Sequence, residues 1–199
     1  MRHLTRAIGV LLGVAASGVT GFVMPASAQG SVSVTPFAGI YVPTRNSFSV
    51  VGTDIKRRNS FIGGARLTFW GKSPVGLELS AGLSPARTTF AGATVNGDRD
   101  TNVFLGALKL MVGLSPATSS VGIHLGVGPA IIRRGKDVLQ QDRSVTDLGG
   151  AVGLGIRVPL APHVGLRFDA EDYLYGGDFD GSKKFQNDLA LTVGLSLSF

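Results

Sequence analysis

The chain has 199 residues, 44% hydrophobic and only 16% charged, with 29 Gly and no Cys. That excludes intrinsic disorder, a disulfide framework and a thiolate zinc site, and the length suits one domain. A net charge of +6 and a mean hydropathy of +0.27 invite a helical membrane protein, yet only the N-terminus offers the ~18–20 consecutive apolar residues a helical span needs.

That N-terminus has three parts: the basic start Arg2, His3 and Arg6, a mostly apolar run from Ala7 to Met24, and Pro25-Ala26-Ser27-Ala28. The layout is that of a secretory signal, with Ala26-x-Ala28 as the cleavage pattern. A retained membrane anchor fits less well, because small residues follow helix-breaking Pro25 where a peptidase needs extended chain. Residues 1–28 are therefore expected to be a signal peptide and residues 29–199 the mature domain. Loss of Arg2 and Arg6 lowers the charge from +6 to +4.

Beyond Gln29 the apolar residues recur every second position, the signature of strands with one greasy and one lean face. Around 32–42, Val34, Ala38, Ile40 and Val42 oppose Thr35, Phe37, Gly39 and Tyr41. In 60–70, Phe61, Ala65, Leu67 and Phe69 oppose Gly64, Arg66 and Thr68, and in 75–84 Val75, Leu77, Leu79 and Leu83 oppose Gly76, Glu78, Ser80 and Gly82. Residues 102–113 set Phe104, Leu108, Leu110 and Val112 against Lys109, with Val103, Leu105 and Met111 blurring the pattern. Residues 121–132 set Val121, Ile123, Leu125, Val127 and Ile131 against Gly122, His124, Gly126 and Gly128. In 148–158, Val152, Leu154 and Ile156 oppose Gly153, Gly155 and Arg157; in 164–175, Val164, Leu166 and Phe168 oppose Arg167, Asp169, Glu171 and Tyr173. The last strand is the clearest: Leu189, Leu191, Val193, Leu195, Leu197 and Phe199 alternate with small or polar residues.

Eight strands are thus expected, joined alternately by long stretches (43–59, 85–101, 133–146, 176–187) and short ones at 71–74, 114–120 and 159–163. This is the rhythm of an all-β, eight-stranded, antiparallel up-and-down transmembrane β-barrel in a bacterial outer membrane, with short periplasmic turns and long external loops. A soluble sandwich would expose the lean faces, but faces this rich in Gly, Ala and Ser fill a narrow tube better than they meet water. By parity the lumen receives Arg66, Glu78, Lys109, His124, Arg157, Arg167, Asp169 and Glu171, nearly balanced in charge. A plug of ion pairs, most of them in the periplasmic half, is the expectation, since unpaired charge in a low-dielectric interior is costly. Phe69, Trp70 and Phe199 should mark the periplasmic rim and Phe61, Phe104, Tyr173 and Tyr175 the outer one.

The mature chain resembles the small eight-stranded outer-membrane barrels of the OmpA/OmpX-like type over essentially its whole length. The C-terminal strand carries the resemblance most specifically: Leu191, Val193, Leu195, Leu197 and terminal Phe199 look like that family's assembly signal. The resemblance implies delivery by periplasmic chaperones and recognition by the barrel-assembly machinery. Gln29-Gly30-Ser31 is expected to leave no room for an N-terminal plug, and no peptidoglycan-binding domain is expected after Phe199.

Some barrels of this general kind modify lipid A, but an enzyme is not expected here. Within residues 29–199 the histidines are His124, facing the lumen, and His163, in a periplasmic turn, whereas a Ser-His hydrolase of lipid needs both groups on the outer face, within hydrogen-bond reach. The Gly149–Gly155 run lacks the Lys and helix of a phosphate-binding loop, and no cofactor or metal is implied. A pI near 10.1 does not indicate nucleic-acid binding, because the positive charge is dispersed and the protein is exported. Lys56, Arg57 and Arg58 in the first long stretch and Arg133, Arg134 and Lys136 in the third are candidate external contacts for anionic head groups, Arg doing so bidentately. The expected partners are outer-membrane lipid and the assembly factors, with the barrel as a monomer. The leading functional expectation is a structural and surface-interaction barrel closed by charge pairs. The alternative is a narrow pore or carrier for small hydrophilic or amphipathic solutes.

Overall fold

The computed structural model describes residues 31–44, 48–50, 53–57, 59–92, 96–115, 121–135, 144–179 and 182–199. The expected signal peptide, 1–28, lies outside them. The described strands are β1 (Ser31–Pro43), β2 (Phe48–Val50), β3 (Thr53–Arg57), β4 (Ser60–Trp70), β5 (Val75–Gly92), β6 (Asn96–Gly113), β7 (Gly122–Arg134), β8 (Val145–Ala161), β9 (Val164–Phe179) and β10 (Ser182–Ser198). Eight of these close into a barrel in the order β1-β4-β5-β6-β7-β8-β9-β10, each antiparallel to both neighbours, with β10 pairing back onto β1. Closure leaves no sheet edge inside the bilayer, where an unpaired backbone group costs several kcal/mol. β2 and β3 form a small hairpin that adds to the far end of β5.

The long connections differ from the expectation. The β5–β6 hairpin stays in register out to Ala91 opposite Asn96, and β9 pairs with β10 out to Phe179 opposite Ser182. The stretches 85–101 and 176–187 are therefore mostly strand, and 43–59 contains β2 and β3. The physical reason is that apolar alternation reports only the lipid-facing part of a strand. Backbone pairing continues beyond it through β-branched and polar residues such as Thr88, Thr89 and Thr101. The short turns sit where expected, Gly71–Pro74 and Pro162–His163 among them.

The barrel is inside-out relative to a soluble domain. Leu77, Leu79, Leu108 and Val127 are each at least half exposed, while Arg66, Glu78 and Lys109 are at most 1% exposed. On β5 the outward set Val75, Leu77, Leu79, Ala81 and Leu83 covers nine residues. At ~3.3 Å per residue and ~40° of tilt that is about 20 Å of height, close to the ~25 Å apolar band of outer-membrane barrels. Above it the outward positions turn polar: Thr44, Asn102, Arg133 and Thr146 are all exposed. Phe61, Phe69 and Phe199 face outward, but Tyr173 and Tyr175 do not join the outer ring. Odd parity on β9 turns them inward, each 2% exposed.

Candidate functional site in the barrel lumen

The lumen has two layers. The one nearer the short turns is ionic, because β4, β5, β6, β7 and β9 each place a charged or titratable side chain on the inner face of their lower half. Arg167 anchors it: Nη1 donates to Glu78 Oε2 at 2.5 Å and Nε to Asp169 Oδ1 at 2.9 Å. Lys109 Nζ lies 2.9 Å from Glu78 Oε1 and also donates to Glu171 Oε1. Arg66 Nη2 donates to Glu171 Oε2 at 3.0 Å and to Thr192 Oγ1 at 2.8 Å, and its Nη1 stands 3.4 Å from Asp169 Oδ2. Thr68 Oγ1 donates to Glu78 Oε2 at 2.7 Å. Three cations therefore meet three carboxylates inside the barrel wall. None of the six is more than 7% exposed, so each charge depends on the others for the compensation that water would otherwise give.

His124 closes the lower end, its Nε2 3.1 Å from Asp169 Oδ1 and its ring 6.3 Å from that of Trp70 in an edge-on contact. Gly155 makes this contact possible: a Cβ there would collide with both His124 Nε2 and Asp169 Oδ1. Glycine on this face is space given to the charges.

The upper layer is mostly apolar. Phe37, Tyr41, Ile62, Val103, Leu105, Ala107, Ala130, Ile132, Ala151, Tyr173, Tyr175 and Ala190 form one buried cluster. This is why alternation blurs in 102–113: Val103, Leu105 and Met111 line the lumen rather than the lipid face. Two polar groupings are set within this layer. Asp188, 2% exposed, accepts hydrogen bonds from Tyr41 Oη at 2.5 Å and Tyr175 Oη at 2.6 Å, and Arg134 pairs with Asp147 while its guanidinium carbon lies 5.1 Å from the centre of the Tyr175 ring. The two layers meet where the Arg66 guanidinium stacks 4.0 Å from the centre of the Phe37 ring.

Two expected placements need correction. Arg134 is not an external loop cation: it is the last residue of β7, on the same inner parity as Ile132, and is 3% exposed. Arg157 stands apart from the ionic cluster, at the lower rim of β8, where its Nη2 donates to Ser198 Oγ at 2.8 Å. Arg133 is exposed at the end of β7. Lys56 and Arg57 lie on β3 opposite Thr89 and Thr88, and Arg58 and Lys136 are outside the described residues. Sequence reasoning missed Asp188 and Asp147 as lumen polar groups, and placed Tyr41 on the inner face without foreseeing its bond to Asp188. Extending the even parity of Ala190, Thr192 and Ser196 one step back would have found Asp188.

The C-terminal strand presents Leu191, Val193 and Leu195 to the lipid side, each a little over 40% exposed. Phe199 N donates to Val32 O at 2.8 Å, which ties the chain end to β1. His163 is exposed in its turn, and its carbonyl accepts from Ser198 N at 2.8 Å.

A closed eight-stranded barrel with a greasy exterior and a buried ionic interior is built for a bilayer, and the sequence agrees: residues 11–199 match the outer membrane protein beta-barrel domain. The chain belongs to that family. Its place is the bacterial outer membrane. No curated protein matches the sequence. Among solved structures, the outer membrane protein OprG from Pseudomonas aeruginosa is 15% identical with a TM-score of 0.64, covering 86% of this chain and 97% of OprG. A major outer membrane protein from Thermus thermophilus is 17% identical with a TM-score of 0.59, covering 85% and 99%. Neisserial surface protein A is 14% identical with a TM-score of 0.56, covering 85% and 97%. At these identities the likeness is one of fold. In this family's orientation the short turns are periplasmic, so the ionic layer of the barrel lies toward the periplasm and the apolar layer toward the outside.

Proposed function

We propose that the barrel is a sealed, non-catalytic outer-membrane scaffold whose outer ends serve as a surface for contact with anionic lipid head groups or ligands. The observation that carries this reading is the filled lumen: a balanced ionic layer and an apolar layer succeed one another along the axis, both made of side chains that are almost wholly buried. An apolar layer is a barrier to ions even where the ionic layer beneath it is polar. His124, with Asp169 as its hydrogen-bond partner, is buried on the lumen face, away from the lipid face where a hydrolase of lipid would need its base. Proteoliposomes placed in isotonic small sugars test the sealing: swelling no faster than protein-free vesicles is expected, and rapid swelling would favour the narrow pore or carrier.

The surface part of the proposal rests on Arg133, exposed at the polar boundary above the lipid band, together with Lys56, Arg57, Arg58 and Lys136. Arg134 leaves this set because it is buried. Changing these five cations to Gln should lower retention of anionic lipid or lipopolysaccharide during purification, and unchanged retention would remove the idea. Biogenesis through a cleaved signal at 1–28, periplasmic chaperones and the barrel-assembly machinery completes the proposal, with the barrel as a monomer. Removal of Phe199 should slow membrane insertion while leaving secretion intact, as measured by protease protection of pulse-labelled chain.

A further inference from the structure

Among the described side chains, the outward faces of the strands carry no charge through the lipid band, with one exception on β9. Its outward residues run Leu166, Phe168, Ala170, Asp172 and Leu174, so a carboxylate interrupts an apolar series that resumes above it. Asp172 stands directly opposite Val152 of β8 and Leu189 of β10, both on the lipid face. Leu148, the next large outward residue above Val152 on β8, is 79% exposed. The outward neighbours below, above and on both flanks are thus apolar, which places Asp172 inside the outer margin of the hydrocarbon. Arg133, by contrast, lies at the very end of its strand, at the polar boundary.

Asp172 is the foot of a short polar ladder that climbs the outer wall across β9, β10 and β1. Asn187, the outward residue next above Leu189 on β10, donates from Nδ2 to both carboxylate oxygens, at 3.2 Å and 3.3 Å. Thr44, exposed just past the end of β1, donates from Oγ1 to Asn187 Oδ1 at 2.6 Å. Asn187 is the polar partner of Asp172 among the described residues, and no cation pairs with it there. A carboxylate that faces hydrocarbon is costly unless something compensates its charge. Asn187 supplies a dipole but no charge, and an ionised carboxylate keeps lone pairs free after two such bonds.

We propose that Asp172 shares one divalent cation, Mg2+ or Ca2+, with the phosphate oxygens of an anionic lipid head group at the outer edge of the band. This rests on the reading of the outer end as a contact for anionic head groups, and adds to it a residue of the opposite sign. A carboxylate and a phosphate repel one another; with a divalent cation between them they become ligands of the same ion. Hard divalent cations take oxygen ligands, and Mg2+ is typically held by one or two carboxylates together with phosphates and water rather than by an all-protein cage. A single carboxylate on the lipid face meets that requirement. Asn187 is the positioning residue: bonded to both oxygens from the outer side, it draws the carboxylate toward head-group level. The same lipid brings its acyl chains against Val152, Leu174 and Leu189, so one amphipathic molecule answers both the charge and its apolar surround.

The test uses isotope-labelled full-length mature barrel in phosphatidylcholine nanodiscs with and without phosphatidic acid, with Mn2+ as a paramagnetic divalent probe read by NMR. In the phosphatidic acid discs Mn2+ should broaden the Asn187 side-chain amide and the Asp172 backbone amide, and excess Mg2+ should restore both signals. In phosphatidylcholine alone the broadening should be several-fold weaker. Asp172→Asn, which keeps the shape of the side chain, should abolish it in an otherwise unaltered spectrum, and Asp172→Glu should retain it. The lipid composition is fixed and the cation is read at Asp172, so this result and the lipid retention that depends on the basic residues can fail separately. Broadening that survives Asp172→Asn, that is equal in both lipids, or that Mg2+ does not reverse in the wild type would overturn the proposal.

Discussion

Glu78 shows how closely individual residues are tied to the lumen. Its two oxygens meet Lys109, Arg167 and Thr68, so Glu78→Gln leaves two buried cations short of a partner and should cost about 3–5 kcal/mol of stability in urea unfolding from vesicles. Pairing it with Lys109→Met restores the formal balance. The double variant should then be more stable than the sum of the single losses by ~0.5–3 kcal/mol, whereas strict additivity would mean that the two do not act as one network. Glycine supplies a second test. Gly155→Ala should destabilise by ~1–3 kcal/mol because its Cβ meets the His124–Asp169 contact, while Gly176→Ala, with nothing within 4 Å of its Cβ, should be nearly silent. At this scale parity made Arg66, Lys109 and Glu171 legible as lumen residues. It could not separate Arg157 from the cluster, since position along the axis, set by strand tilt and register, is invisible to a count of odd and even.

Strands are where the sequence speaks most clearly and also where it stops short. Alternation exists because lipid selects one face, so it located the membrane-crossing part of β4, β7 and β10 but fell silent where β5 and β6 rise above the bilayer. The lipid-facing assignment predicts a depth dependence: Leu79→Arg in mid-strand should cost about 2–4 kcal/mol, and Thr146→Arg at the outer polar boundary ~0–1 kcal/mol. Equal costs would mean that the band has been placed wrongly. The Tyr41 and Tyr175 contacts to Asp188 at the outer end of the β1–β10 pairing give a local prediction. Asp188→Asn weakens the acceptor shared by Tyr41 and Tyr175, so amide exchange should rise first at Tyr41, Val42 and Leu189 to Leu191, well before the β7–β8 pairing loosens. Uniform acceleration around the barrel would contradict a local fastening. Arg134 and Asp188 were hard to place from sequence for one reason: each lies just beyond the regular apolar alternation of its strand, where the same polar residue suits a loop or a lumen.

For the whole molecule the proposed function makes the two layers act as one barrier. Charge alone would leave a polar column through which ions could exchange partners, and apolar packing alone would give no reason for Arg66, Lys109 and Arg167 to lie inside. On that proposal the ionic layer fixes the arrangement of the strands around it and the apolar layer withholds water from the path between the two sides. The most direct measurement is single-channel recording of the purified barrel in planar bilayers across a wide voltage range. A sealed lumen predicts a silent membrane for both the wild type and the five-cation Gln variant. Steady conductance steps in the wild type that change size or vanish with Glu78→Gln would place an ion path through the lumen and contradict the account.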